Sequence, residues 1–181
     1  MYVTPAALVG ALVANRVTHV PYLPDSEHSA TYDLLLATPG IQLVRVAREG
    51  EAIAVAAGLL VGGKRPLVMI QNTGMFESGD SIRGFLLTGR GLPMVMAIGY
   101  RGWVASGTPR DNAARYTEPI LDAWGIPHVL IAGDGDIPAL GECFDEAERR
   151  CGPVAALLVE DERYAASQRI VPPAGQTGQP T

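Results

Sequence analysis

Short apolar runs alternate with longer helical patterns along most of the chain, and this alternation restricts the fold more than any other feature of the sequence. The apolar runs are nearly continuous, which is typical of strands that are covered by helices on both faces. With right-handed crossovers, the alternation predicts an α/β fold: a doubly wound, mainly parallel six-stranded sheet with helices on both faces. The predicted strands are Thr18–Leu23, Gln42–Val46, Leu67–Gln71, Met94–Ile98, His128–Ile131 and Ala155–Val159. The predicted helices are an amphipathic first helix within residues 1–16, then Ser29–Ala37, Glu49–Val61, Ser78–Arg90, Glu118–Trp124 and Pro138–Arg150.

Length and composition favour one domain. A chain of 181 residues, 48% hydrophobic and 18% charged, is typical of a single globular unit with a well-covered core. We expect the domain to occupy residues 1–170, and the Pro-, Gly-, Gln- and Thr-rich residues 171–181 to form a disordered tail. The net charge of -5, and the lack of an apolar run of about 18–20 residues, predict a cytoplasmic protein without nucleic-acid or membrane partners. Cys143 and Cys151 are expected to be buried free thiols.

In open sheets of this kind, ligands bind beyond the carboxyl ends of the strands. Four polar segments follow predicted strands there: residues 24–29, 47–51, 72–80 and 99–112, of which the last three contain glycine. The first contains His28, which is a candidate for contact with a substrate because it lies in a loop that faces the cleft. The sequence therefore predicts a site at this edge of the sheet.

Two acids, Glu49 and Glu51, begin the helix EGEAIAVAAGLLVGG. Acidic residues in a first turn offset the helix dipole by about 0.3–1 kcal/mol, and helix physics alone favours this structural interpretation for both. The alternative is a functional carboxylate, because the rest of this helix is small and apolar and is expected to be buried. A carboxyl group in a closed cleft is suited to proton transfer.

Two further motifs carry polar groups. In Gln71–Gly74, Asn72 and Thr73 are candidates for holding a ligand and Gly74 permits a close backbone approach, although Asn and Thr also cap helices in ordinary loops. The GDGD motif at residues 133–136 has no asparagine downstream, so it is interpreted as a turn that leads into the last helix and not as a metal site.

Residues 45–74 resemble the pyrimidine-binding domain of thiamine-diphosphate decarboxylases, with the greatest likeness to sulfopyruvate and phosphonopyruvate decarboxylases. The likeness consists of a Glu at the end of the second strand, an alanine-rich helix with Gly58 nine residues later, a Lys-Arg-Pro turn at residues 64–66, and QNTG. The stretch PMVMAIGYRGW, residues 93–103, resembles the strand of these families that ends in W-R-G. The register selects Glu49, and not Glu51, as the glutamate that activates the cofactor.

The resemblance implies the alpha subunit of a two-subunit 2-oxo-acid decarboxylase, a carboxy-lyase. It implies thiamine diphosphate as cofactor, with Mg²⁺ bound mainly by a beta subunit that carries a GDG…N motif, in a hetero-oligomer such as α2β2 or larger. Glu49 would bond N1′ of the aminopyrimidine and favour its imino tautomer, and the helix that it begins would pack at a subunit interface. The implied site residues are Glu49, Pro24, Asn72, Thr73 and Gly74 for the cofactor, and Asp25, Ser26, His28, Phe76 and Arg101 for the substrate.

The sequence departs from this family in two stretches: residues 75–80, and the stretch after Tyr100-Arg101-Gly102, which has residues 106–112 in place of the family's D-E-P-x-H. Residues 75–80, MFESGD, bring an aromatic ring and two acids where the family has small residues and asparagines. The added negative charge suits a dianionic substrate only if Arg83, Arg101 or Arg110 offsets it. Two other functions stay open: a thiamine-diphosphate-dependent carboligase or lyase subunit, and a non-catalytic partner subunit.

Overall fold

The computed structural model describes residues 2–25, 28–88, 91–105 and 108–159. Its centre is a sheet of six strands in which every pairing is parallel, in the order β2-β1-β3-β4-β6-β5. The doubly wound parallel sheet that the sequence predicts is therefore confirmed. The strands are β1 His19–Tyr22, β2 Gln42–Arg45, β3 Leu67–Gln71, β4 Val95–Gly99, β5 His128–Ile131 and β6 Val154–Leu158.

Helices cover both faces of the sheet. The α-helices are α1 Pro5–Ala14, α2 Ser29–Leu36, α3 Glu49–Val61, α4 Asn72–Glu77, α5 Gly79–Ser81, α6 Asn112–Ala123 and α7 Pro138–Arg150. A π-helical turn, Ile82–Leu86, follows α5, and a 3-10 turn, Asp134–Asp136, precedes α7. Both α3 and α7 have the predicted bounds, and the GDGD motif forms the turn that the sequence predicts.

Two helices begin earlier than predicted. The QNTG segment was expected to be a loop before a helix at Ser78, but α4 begins at Asn72, directly after β3. The helix expected from Glu118 begins at Asn112, because the Asp111 side chain accepts a hydrogen bond from the Ala113 amide at 2.9 Å and caps it. Pro119, which favours a helix start in the sequence, lies inside α6 instead.

Successive side chains of the central strands enter two different cores in turn, which explains the continuous apolar runs in the sequence. Along β3, Leu67 and Met69 belong to the core cluster formed with α1, α2 and α7, while Val68 and Ile70 belong to the cluster formed with α3, α6 and the π-helical turn. All four side chains are buried. A strand that contributes to two cores has no polar face, which is the expected pattern for a parallel sheet between helix layers.

The strand order places one set of loops together. Within the sheet, Tyr22 of β1 pairs with Arg45 of β2 on one side and with Met69 of β3 on the other. The direction of winding reverses between β1 and β3, and such a reversal opens a crevice beyond the carboxyl ends of the strands. The segments that follow β1, β2 and β3 therefore meet at this crevice.

Three further expectations concern the two cysteines, membrane-spanning helices and the C-terminal tail. Cys143 and Cys151 are unbridged, but only Cys143 is buried; Cys151 is exposed where α7 ends, which corrects the expectation that both are buried. Within the described ranges, no helix has the length and apolar character that crossing a membrane requires. The predicted tail and its boundary at residue 170 lie outside the described residues.

Helix α3 provides a direct test of the packing. Ile53 is fully buried on its inner face, so we expect Ile53→Ala to lower the free energy of unfolding by about 2–5 kcal/mol. Val61, at the end of the same helix, is 80% exposed, so Val61→Ala should change it by less than about 0.5 kcal/mol. Urea denaturation of both variants measures the difference, and equal losses would contradict the described packing.

Candidate active site

Glu49 is the first residue of α3, and it lies at the crevice beyond β2. Its side chain lies over the backbone of Gly74 in α4: a Cβ atom built on Gly74 would be 2.4 Å from Glu49 Cγ and 2.5 Å from its Oε1. These distances are too short for a side chain at position 74 while Glu49 keeps this conformation. The structure therefore brings together the acid and the glycine that the sequence singled out, and the glycine is necessary for their contact.

Other acids cap α3. Glu51 Oε2 accepts a hydrogen bond from the Ala47 amide at 2.9 Å, and Glu77 Oε2 accepts one from the Gly50 amide at 3.0 Å. Among the described residues, no protein donor is hydrogen-bonded to the Glu49 carboxylate, which is half-buried. The capping interpretation therefore holds for Glu51, while Glu49 keeps its oxygens for another partner.

Asn72 is held inside the protein. It is fully buried, and its Nδ2 donates to the Arg101 carbonyl and to Thr117 Oγ1, both at 3.1 Å. Its Oδ1 accepts from the Thr73 amide at 3.0 Å. The amide therefore joins the start of α4 to the segment after β4 and to α6, whereas Thr73 is exposed. Contact of Asn72 or Thr73 with a ligand stays a prediction.

Asp25, His28 and Tyr32 form a polar cluster at the end of β1. The Asp25 carboxylate accepts from the His28 amide at 2.8 Å and from the Tyr32 hydroxyl at 2.8 Å, and it lies 3.0 Å from His28 Nδ1. The His28 and Asp25 side chains are only 12% and 13% exposed. A carboxylate at Nδ1 orients the imidazole and leaves Nε2 as its outer nitrogen.

The charge of this cluster is set by its contacts. Burial opposes ionisation of Asp25, but the hydrogen bonds and positive charge of His28 and the Tyr32 hydroxyl outweigh it, so the pKa of Asp25 lies below its usual value of 3.8. Burial, and then the charge of Asp25, raise the pKa of Tyr32 far above its usual value. The cluster thus contains a carboxylate held in its ionised form.

The acids that set loop 75–80 apart are paired. Arg48 Nε donates to Glu77 Oε1 at 2.9 Å, and Arg83 Nε donates to Asp80 Oδ1 at 3.0 Å. The sequence anticipated Arg83 as an offsetting charge but not Arg48, which lies 29 residues from Glu77. Two arginines therefore balance the added negative charge of the loop.

The other predicted site residues differ in their surroundings. Arg101 is exposed, and its Nε lies 3.1 Å from Asp111 Oδ2 across a turn that Gly102, at a φ of +83°, makes possible. Phe76 packs against the core on the α3 side, and Pro24 is exposed after β1. Ser26 lies outside the described residues.

Sequence reasoning missed Glu77, Arg48 and Tyr32. A local signal exists for Tyr32, because residues 25, 28 and 32 have the spacing of one helical face. Glu77 and Arg48 have no such signal, because they meet only when α3 and α4 pack together.

Comparison with curated proteins supports the predicted resemblance. The chain matches no family model. It is 26% identical over 123 residues to the alpha subunit of sulfopyruvate decarboxylase from Methanococcus maripaludis, covering 67% of this chain and 73% of the relative. It is 25% identical over 122 residues to the same subunit from Methanocaldococcus jannaschii, covering 67% and 72%. Phosphonopyruvate decarboxylase from Streptomyces viridochromogenes is 32% identical over 97 residues, or 54% of this chain and 24% of that protein.

Solved structures share the fold. The 2-oxoglutarate:ferredoxin oxidoreductase from Magnetococcus marinus matches with a TM-score of 0.66 and 16% identity, covering 88% of this chain and 29% of that one. Benzoylformate decarboxylase from Polynucleobacter necessarius matches with a TM-score of 0.65 and 17% identity, covering 100% and 33%. The chain thus spans about a third of each solved chain. The α/β fold expected of a pyrimidine-type domain is confirmed.

The contact between Glu49 and Gly74 can be tested by adding one methyl group at position 74. Gly74→Ala should displace the Glu49 side chain, because the new Cβ would lie 2.4 Å from its Cγ, while the fold is retained since that side chain can rotate away. Gly10→Ala in α1 is the matched control. No atom lies within 4 Å of a Cβ built on Gly10, so helix propensity alone should raise the free energy of unfolding of this variant by about 0.5–1 kcal/mol. Crystal structures of both variants show the outcome, and an unmoved Glu49 above Ala at position 74 would contradict the described contact.

The Asp25 cluster predicts a pH dependence. Because the pKa of Asp25 is lowered by folding, its stabilising contribution is present above its usual value of 3.8 and is lost as the pH falls through the lowered pKa. Asp25→Asn should therefore reduce the free energy of unfolding more at neutral pH than below about pH 3. Tyr32→Phe, which removes the hydroxyl contacts to Asp25 and to the Leu23 carbonyl but keeps the carboxylate, should show a smaller loss of the same kind. Denaturation at both pH values measures this, and a pH-independent loss would refute it.

Proposed function

We propose that this chain is the pyrimidine-binding alpha subunit of a thiamine-diphosphate-dependent decarboxylase of small 2-oxo acids. The observation that carries the proposal is the placement of Glu49. Glu49 lies at the crevice where the direction of winding reverses, and its side chain lies against the backbone of Gly74. Its carboxylate is not used to cap its own helix. Similarity to alpha subunits of sulfopyruvate decarboxylase supports the same function.

The residues at the crevice fit an aminopyrimidine. A carboxylate whose oxygens accept no hydrogen bond from the described protein atoms can accept one from, or share a proton with, a ring nitrogen of a ligand. Contact with Gly74 on one side limits the directions in which the Glu49 side chain can turn. When bound, thiamine diphosphate supplies the electron sink for loss of carbon dioxide. The part of Glu49 is to hold a proton at the ring nitrogen in a fixed geometry.

We further propose that a beta subunit with a GDG…N motif completes the site and binds Mg²⁺ with the diphosphate. In this chain the GDGD motif has a structural use: Asp134 accepts from the Thr4 amide at 2.7 Å and hydroxyl at 2.8 Å, and Asp136 accepts from the Ala132 amide at 2.9 Å. The name of the relatives, subunit alpha, supports a partner. In the proposed hetero-oligomer, of two alpha and two beta subunits or larger, the exposed end of α3 at Val61 would lie at the subunit interface.

The substrate that fits best is a 2-oxo acid with a second acidic group, as in sulfopyruvate or phosphonopyruvate. The pairing of Glu77 with Arg48, and of Asp80 with Arg83, offsets the negative charge that would repel such a substrate. Near the same edge, His28 is the oriented imidazole, and it can donate to or accept from a substrate through Nε2. These observations support decarboxylation of a small anionic acid.

Glu49→Gln, in the complex with the beta subunit, is expected to reduce turnover of the 2-oxo acid by about 10²–10⁴-fold, because an amide cannot exchange a proton with the pyrimidine. Glu51→Gln is the matched control. Its side chain keeps an oxygen for the Ala47 amide, so turnover should stay near the wild-type value. Carbon dioxide release measures turnover, and product analysis separates an aldehyde from a carboligation product. Near-wild-type turnover in Glu49→Gln would overturn the proposed function.

A further inference from the structure

We propose that Glu77 is a positioning residue that fixes the carboxylate of Glu49 by holding the residues on either side of it. This inference rests on the proposed function. One oxygen of Glu77, Oε1, accepts from Arg48 Nε at 2.9 Å and also from Arg48 Nη2. The other, Oε2, accepts from the Gly50 amide at 3.0 Å. A single side chain of α4 therefore holds the backbone and side chain that flank Glu49 in α3.

The two helices touch closely at this point. A Cβ atom on Gly50 would lie 2.9 Å from Ser81 Oγ and 3.5 Å from Glu77 Oε2, so a side chain at position 50 would require the Ser81 hydroxyl to move. Gly74 leaves a similar lack of space beside the Glu49 side chain itself. A small shift of α3 against α4 would therefore move the Glu49 carboxylate.

The charge of Glu77 suits this place. The hydrogen bond from the Gly50 amide, and then the Arg48 guanidinium, hold the pKa of Glu77 below its usual value of 4.5. The free amides at the start of α3 carry partial positive charge, which an anion stabilises. Because Glu77 and Glu51 meet this need, the Glu49 carboxylate is left for its own task.

The Asp80–Arg83 ion pair in the same segment is also exposed, but it lies within one stretch of chain and so provides a comparison. Asp80 is 88% exposed and pairs with Arg83 three residues later, and among the described contacts it makes no hydrogen bond to α3. Such pairs contribute about 0–1 kcal/mol and position nothing beyond themselves. Glu77 differs because its bonds join two helices. Asp80→Asn is therefore the matched control for Glu77.

The test compares Glu77→Ala, Glu77→Gln, Asp80→Asn and Glu49→Gln in the complex with the beta subunit. The principal readout is the rate at which the C2 proton of bound thiamine diphosphate exchanges with solvent deuterium, followed by NMR after acid quench. The second readout is kcat and KM for the 2-oxo acid, together with the cofactor Kd. A displaced Glu49 should slow exchange, whereas a general loss of structure should weaken binding and assembly.

We expect Glu77→Ala to lower the exchange rate and kcat by about 10-fold or more, since a 1 Å misplacement can cost about 10²-fold, with KM and cofactor Kd within about twofold. Glu77→Gln, which keeps the shape and an acceptor oxygen, should restore part of the rate, and Asp80→Asn should keep the wild-type exchange rate and kcat. Wild-type exchange in Glu77→Ala, or a loss confined to KM, Kd and assembly, would overturn the inference. If Glu77→Ala fails to assemble, Glu77→Gln decides: a slower exchange at unchanged Kd supports the inference, and an unchanged rate overturns it.

The same set separates this inference from the proposed function. If Glu49→Gln abolishes exchange while both Glu77 variants keep the wild-type rate, the positioning role of Glu77 is wrong and the proposed function stands. If Glu49→Gln keeps the wild-type exchange rate, the proposed function itself is wrong.

Discussion

The close approach of α3 and α4 is the contact on which the candidate site depends. It is made where neither helix has a side chain in the way: Glu49 lies on Gly74, and Gly50 lies against Ser81 and Glu77. The parallel sheet brings these helices together, because β2 and β3 flank β1 and end at the same edge. The fold thus supplies the coarse placement of the carboxylate, and two glycines supply the fine placement.

Three acids lie near the first turn of α3, and they differ in their hydrogen-bond partners. Glu51 accepts a hydrogen bond from the Ala47 amide, just before the helix, whereas Glu77 accepts one from the Gly50 amide within it and also binds Arg48. Glu49 does neither among the described contacts. Because the flanking acids accept hydrogen bonds from the nearby backbone, the Glu49 carboxylate is left without a protein donor among the described residues.

Local patterns in the sequence predicted most of the fold and part of the site. The β3 run is apolar throughout because its side chains enter two cores in turn, and a single sequence shows this directly. The resemblance to the decarboxylase family also indicated Glu49 and Gly74 as site residues. The start of α4 at Asn72 was not, because polar residues with a glycine are typical of a loop, and here buried bonds to Thr117 and the Arg101 carbonyl hold them in a helix. The pairing of Arg48 with Glu77 depends on tertiary packing over 29 residues, so no local pattern indicates it.

The glycine contacts also limit how such a site can change by mutation. Position 74 cannot accept a side chain without moving Glu49, and position 50 cannot accept one without moving Ser81. Neither position offers a gradual series of substitutions through which the carboxylate could be shifted by small steps. Residue 77 does, since its side chain spans the gap between the helices and can vary in length and charge. If Glu49 has the proposed role, substitutions at residue 77 are therefore the ones that can change its placement by small steps.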